Sequence, residues 1–228
     1  RFAELRKLEV NAAGTLADIR SRIADGTARL APARATLAAL ATSFAAPTFA
    51  AVAGNVDEAE RALGEATAGA DAAAPSISAS GVNDVTASLD AASQAAHRAG
   101  ALLDAVDRTA RDLAAAAEAL SALRERTRKD LAEAAAERDK APDPQTTQGI
   151  IDAMAAVDAS LAGDSADPVA ALDRIADAVE RLDIALASAR NQASRLAHAK
   201  AAYEGTLVSA TSQIAAVREY IGSHGAGV

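Results

Sequence analysis

Three histidines, His97, His198 and His224, are the first residues in this chain that could bind a metal or move a proton, and none has a partner at a working spacing. A di-iron helical bundle needs a Glu three positions before a His, but Gln94 precedes His97 and Arg195 precedes His198 at that distance. Zinc sites and nucleophilic catalysis lose their usual residues too, since the chain has no Cys and none of its histidines has a partner at metal or triad spacing. Surface or seam-edge histidines are the expectation. The run Gly222-Ser-His-Gly225-Ala-Gly227 superficially resembles a phosphate loop, yet such a loop follows a strand, and no strand pattern occurs here. A helix stop followed by linker fits it better.

Two charged groups remain. Asp57, Glu58 and Glu60 lie where a helix should begin, so they read as complements to the helix dipole rather than as metal ligands. Arg124, Arg126, Arg128 and Lys129 form a basic group on a long helical stretch, interleaved with Glu125, Asp130, Glu133 and Glu137. An ion-paired, solvated face is the first reading, and contact with an acidic protein partner or a lipid headgroup is the alternative. No catalytic residue, cofactor or metal is indicated. A formal net charge of −8 with 2% aromatic residues argues against nucleic-acid binding, which rewards basic surfaces and stacking rings.

The elements that carry these residues are helical throughout. Leu172, Ile175, Val179, Leu182, Leu186, Ala189, Ala193, Leu196, Ala199, Tyr203, Leu207, Ala210, Ile214, Val217 and Ile221 recur at three- and four-residue steps, which is one stripe of a very long helix. Similar stripes run from Val85 to Ala134 and from Leu5 to Phe44. With one Met and no Trp, alanine must fill most buried positions. Its high helix propensity and small side chain favour thin, closely packed bundles.

The pattern predicts a first helix from Phe2 to Thr42, kinked or broken near Arg29 to Pro32. A connector from Ala45 to Gly54 follows, with a short helical turn begun by Pro47. Asn55 and Glu58 have the form of a capping box for a short helix that fades by Ala74. Pro75 to Val82 reads as a linker, and Asn83 as the cap of a third helix reaching Lys140, on the order of 85 Å long. A short helix from Thr147 to Ala162 and a long one from Asp167-Pro168 to Ile221 complete the chain. Phe44, Phe49 and Tyr203 are expected to fill the core, and Tyr220 to mark an interface. Residues 35–56 carry no formal charge, but Thr, Ser, Pro, Gly and Asn dilute them too far for a membrane span.

An offset of 83 positions pairs Leu89 with Leu172, Arg98 with Arg181, Leu103 with Leu186, Leu113 with Leu196 and Leu120 with Tyr203. The expected fold is therefore all-α: an elongated antiparallel bundle or coiled coil, with two copies of a short-helix plus long-helix repeat, like spectrin, each long helix running antiparallel to its neighbours. Three segments are expected within one continuous bundle, residues 1–82, 83–146 and 147–228. Starting at Arg1 without a signal-peptide pattern, the chain reads as a fragment that would cut off a next short helix after Ile221.

The stretches Pro47-Thr-Phe-Ala-Ala-Val-Ala-Gly-Asn-Val-Asp-Glu-Ala-Glu60, Leu102-Leu-Asp-Ala-Val-Asp-Arg108, Asp167-Pro-Val-Ala-Ala-Leu-Asp173 and Val217 to Val228, taken in order, resemble the long helical region of actinobacterial TPM-domain membrane proteins. The resemblance implies a module lying after a transmembrane helix, on the cytoplasmic side of the membrane, in a protein whose TPM domain lies outside. Arg1, Arg6 and Lys7 would suit a juxtamembrane segment. The acidic motif of the TPM domain, sometimes called a phosphatase domain, has no counterpart here. The expected role is a noncatalytic scaffold or spacer that contacts protein partners. The alternatives are a lipid-surface or envelope-stress adaptor that binds a phage-shock-type coiled coil, and an accessory region of a TPM-type phosphatase.

Overall fold

The computed structural model describes residues 2–78 and 82–224. The fold is an all-α bundle of five helices and one short helical turn, with no strand among the described residues. The elements are α1 (Phe2–Ser43), the turn α2 (Ala46–Phe49) with a 3-10 segment (Ala50–Val52), α3 (Asn55–Ser78), α4 (Val82–Arg138), α5 (Pro144–Ala162) and α6 (Pro168–His224). The start of the stripe expected from Leu5, the cap at Asn83 and the interface at Tyr220 concern side chains outside the described residues. Residues group into two compact units, one of 1–120 with 164–170 and one of 121–163 with 171–228. The segment 83–146 thus contributes to both units.

In the first unit the core joins Leu30, Ala33 and Leu40 of α1, Phe49 and Val52 of the connector, Val56, Ala59, Ala62 and Leu63 of α3, and Ala99, Leu103, Val106 and Leu113 of α4. Phe44 is half-buried against it. Residues 35–56 therefore serve a protein core. A second cluster closes the other end, with Leu16 and Ile19 of α1, Ala70 and Ala73 of α3, and Val85, Leu89 and Ala92 of α4. Small residues let the axes come close. A Cβ added at Gly69 of α3 would stand 3.1 Å from the Ala92 methyl and 3.3 Å from the Ser88 carbonyl oxygen of α4.

Paired side chains fix the helix directions. Arg20 and Arg34 of α1 reach Asp71 and Glu60 of α3, an antiparallel order. Arg22 and Arg29 of α1 reach His97 and Asp104 of α4, a parallel order. The expectation that each long helix runs antiparallel to its neighbours is thereby corrected. α3 turns back between α1 and α4, so the two long helices of the unit point the same way. The segment 164–170 joins this unit through the Ala45 amide, which donates to the Ala166 carbonyl at 2.8 Å.

Four local expectations are also corrected. Of the kink or break expected near Arg29 to Pro32, the break does not occur: α1 continues through Pro32, whose ring lies on the exposed face while Leu30 and Ala33 on either side are held in the core. α3 continues through Pro75 to Ser78 for a similar reason: Pro75 is exposed, and Ala73 and Ile77 pack on the second cluster. The Asn55–Glu58 capping box does not form; the Glu58 amide donates to the Gly54 carbonyl at 3.1 Å, and the Asn55 amide side chain donates to the Leu102 carbonyl at 3.3 Å. Gly222 does not end α6, which reaches His224.

The second unit packs Leu131 and Ala134 of α4, Ile150 and Val157 of α5, and Ala178, Leu182, Leu186 and Ala189 of α6. Asp143 caps α5 by accepting the Gln145 and Thr146 amides at 2.9 Å each, with Pro144 in the first turn. At the start of α6 Asp167 accepts the Ala170 amide at 3.0 Å.

Candidate functional site

The buried seam of α6 stops at Ala189, and from Ser194 to Glu219 every residue is exposed. The apolar stripe does not stop with it. Leu196 is 46% exposed, Tyr203 65%, Leu207 47%, Ile214 55% and Val217 58%. Core filling by Tyr203 is thus corrected: no described element lies over this part of α6. The helix is regular there, with Thr206 and Thr211 donating to the Ala202 and Leu207 carbonyls at 2.9 and 2.7 Å. Lys200 and Glu204 form an exposed pair at 3.9 Å. The result is a regular helix with an apolar flank open to solvent.

The basic group on α4 is spread around the helix. Arg124 is half-buried and donates through Nη2 to the Gly163 carbonyl at 3.1 Å, just past the last turn of α5. A guanidinium there satisfies a carbonyl at the negative end of the helix dipole. Arg126 is 81% exposed and lies 3.9 Å from Asp130, while Arg128 pairs with Glu125. Lys129 is exposed.

Of the acidic group, Glu60 pairs with Arg34, and Asp57 and Glu58 sit in the first turn of α3. His97 accepts from Arg22, and His198 is exposed on α6. Among the described residues no set of three or more His, Asp or Glu side chains converges on a point that could hold a metal ion. Among them, too, no helix is long and apolar enough to cross a membrane.

The sequence reading missed the arginines of α1. Arg20, Arg22, Arg29 and Arg34 face carboxylates or a ring on α3 and α4, and Arg29 alone bridges Asp104 at 2.7 Å and Asp107 at 2.8 Å. Their spacing on one side of α1 was the available signal, visible only once the acids across the seam are known. Glu137 on α4 plays a similar part in the second unit, pairing with Lys140 and, at 3.4 Å, with Arg190 of α6.

No family model matches the chain, and no solved structure matches it. The chain is 32% identical to the UPF0603 protein MT2410 and to the UPF0603 protein Rv2345, from two strains of Mycobacterium tuberculosis, over 96% of its own length. It spans about a third of each of these relatives, 34% of their length.

Proposed function

We propose that this chain is a noncatalytic helical scaffold module that acts through protein contacts within a membrane-anchored envelope protein. The observation that carries the reading is the exposed apolar flank of α6, from Leu196 to Val217. An apolar stripe on a regular helix is complementary to another helix, and it offers no concave site for a small substrate. Anchoring and the cytoplasmic placement rest on the resemblance to TPM-domain membrane proteins.

The architecture supports a finer reading as well, in which α3–α4 and α5–α6 are two copies of one spectrin-like repeat. At the offset of 83, Ala92, Ala95, Ala99, Leu103 and Val106 correspond to Ile175, Ala178, Leu182, Leu186 and Ala189, and all ten are buried.

Proximity labelling from the intact protein in cells tests the main reading. A recurring set of proteins should be tagged, and tagging should fall when Leu207 and Ile214 are replaced by Asp. Labelling no different from that of a freely diffusing control would sink it. Turnover of a chromogenic phosphate ester by the chain, with or without divalent metal, would instead favour a part in a TPM-type phosphatase.

Exposure of Arg126 and Lys129 favours the second reading, a lipid-surface or envelope-stress adaptor. Flotation with vesicles rich in anionic lipid, abolished by reversing Arg126 and Arg128, is the outcome that reading requires.

A further inference from the structure

The exposed stripe on α6 continues a pattern that other helices cover elsewhere in the chain. At the offset of 83, Leu120, Leu131 and Ala134 of α4 correspond to Tyr203, Ile214 and Val217 of α6. Leu120 and Ala134 are buried, and Leu131 packs against the core of the second unit. Through this correspondence, which rests on the repeat reading above, the occupant of the α6 face is a helix. The charges beside the stripe select which helix.

Tyr203, Leu207, Ala210, Ile214 and Val217 alternate by four and three residues, the spacing of core positions in a two-stranded coil. Lys200 lies in the same register, and Glu204, Thr211 and Arg218 lie along one flank at seven-residue intervals. In a parallel pair of identical helices Lys200 would face Lys200 within the seam, and neither Glu204 nor Arg218 would meet an opposite charge. An antiparallel pair centred on Ser212 behaves differently. Leu207 then packs on Val217 of the second copy and Ala210 on Ile214, so a small residue meets a large one in the central layers. Along the flank Glu204 meets Arg218 of the other copy twice, and Thr211 meets Thr211.

We infer that residues 203–219 of α6 form a self-recognition surface on which a second copy of this chain docks antiparallel, with Glu204 of each copy against Arg218 of the other. The second copy enters beyond Ser194, where no described element covers α6, so no core contact among the described residues is displaced.

Sedimentation equilibrium of the 228-residue chain tests this across micromolar concentrations. The mass should rise towards twice that of one chain. Replacing both Leu207 and Ile214 by Asp should hold it at one chain while circular dichroism still reports a folded helical protein. E204R and R218E each place like charges together twice, and each should weaken association by about tenfold or more. Combining them exchanges the two charges and should restore association to near its original strength.

Because the chain has no Cys, T211C gives a direct reading of register. It should form a disulfide with its own counterpart under mild oxidation, whereas S209C on the outer side should not. A chain that stays single at every concentration overturns the inference. So does a dimer indifferent to the Asp replacements, a charge exchange that fails to rescue, or S209C linking as readily as T211C.

Discussion

Gly69 of α3 passes Ala92 of α4 so closely that a Cβ on the glycine would stand 3.1 Å from the alanine methyl. The Ser88 carbonyl oxygen, 3.3 Å from the same point, is backbone and cannot swing aside. Replacement of Gly69 by Val should therefore separate the helices and cost about 1–3 kcal/mol by overpacking. Gly64, on the same helix but with open space around it, gives the opposite result. There Gly64→Ala should stabilise by about 0.5–1 kcal/mol through helix propensity alone. Urea unfolding of the two variants checks the contrast, and equal shifts in the same direction would contradict the close approach.

The first unit is held by its seam far more than by its ion pairs. Leu103 is fully buried in the core formed by α1, α3 and α4, so Leu103→Ala should cost about 2–5 kcal/mol. Arg29 bridges Asp104 and Asp107, and the hydrogen bond it donates to Asp104 is the largest of the effects that raise its pKa. All three side chains are more than a third exposed, however, and solvent screens them. Arg29→Met should cost no more than about 1 kcal/mol. Thermal melts of both variants in low and high salt would decide it. A loss for Arg29→Met that matches Leu103→Ala would mean the charge network dominates.

Much of this was legible because apolar periodicity survives in an alanine-rich chain. The stripe expected from Val85 to Ala134 runs through Val85, Leu89, Leu103, Val106, Leu113 and Leu120, and each is buried. What periodicity does not carry is the identity of the partner. It drew one continuous stripe along α6 through Leu186 and Ile214, although the first is buried and the second exposed. Prolines misled for a related reason: Pro32 and Pro75 weaken their own turns, but tertiary contacts of Leu30, Ala33, Ala73 and Ile77 hold the helices across them. At the basic group, Arg124 reaches Gly163, and a contact made 39 residues along the chain leaves no local mark in the sequence.

Thr127 gives a third test. It is 1% exposed on the buried side of α4, and its hydroxyl has no hydrogen-bond partner. Valine has nearly the same shape without the oxygen, so Thr127→Val removes a buried polar atom at little steric change. The variant should be more stable by about 1 kcal/mol. Thr127→Ser leaves the hydroxyl and opens a methyl-sized gap, and it should be less stable than the parent. A Thr127→Val protein that melts below the parent would show that the hydroxyl is satisfied in solution.

Acid should loosen the second unit through two carboxylates. Hydrogen bonding from the Thr146 amide, with further help from its hydroxyl and from the Gln145 amide, holds the Asp143 carboxyl below its ordinary range. Hydrogen bonds from Arg190 and then Lys140 do the same for Glu137. A carboxyl whose pKa is depressed on folding lends full stability above its unfolded pKa, and that contribution is lost as pH falls through the folded value. The affected window therefore opens near about pH 4.5 and extends downward. Melting temperatures followed by circular dichroism from neutral pH into that window should fall for the parent. They should fall less steeply for a variant carrying both D143N and E137Q, because Asn still accepts the Thr146 amide and neither replacement titrates. Parallel slopes for the two proteins would rule out these groups as the source of the acid sensitivity.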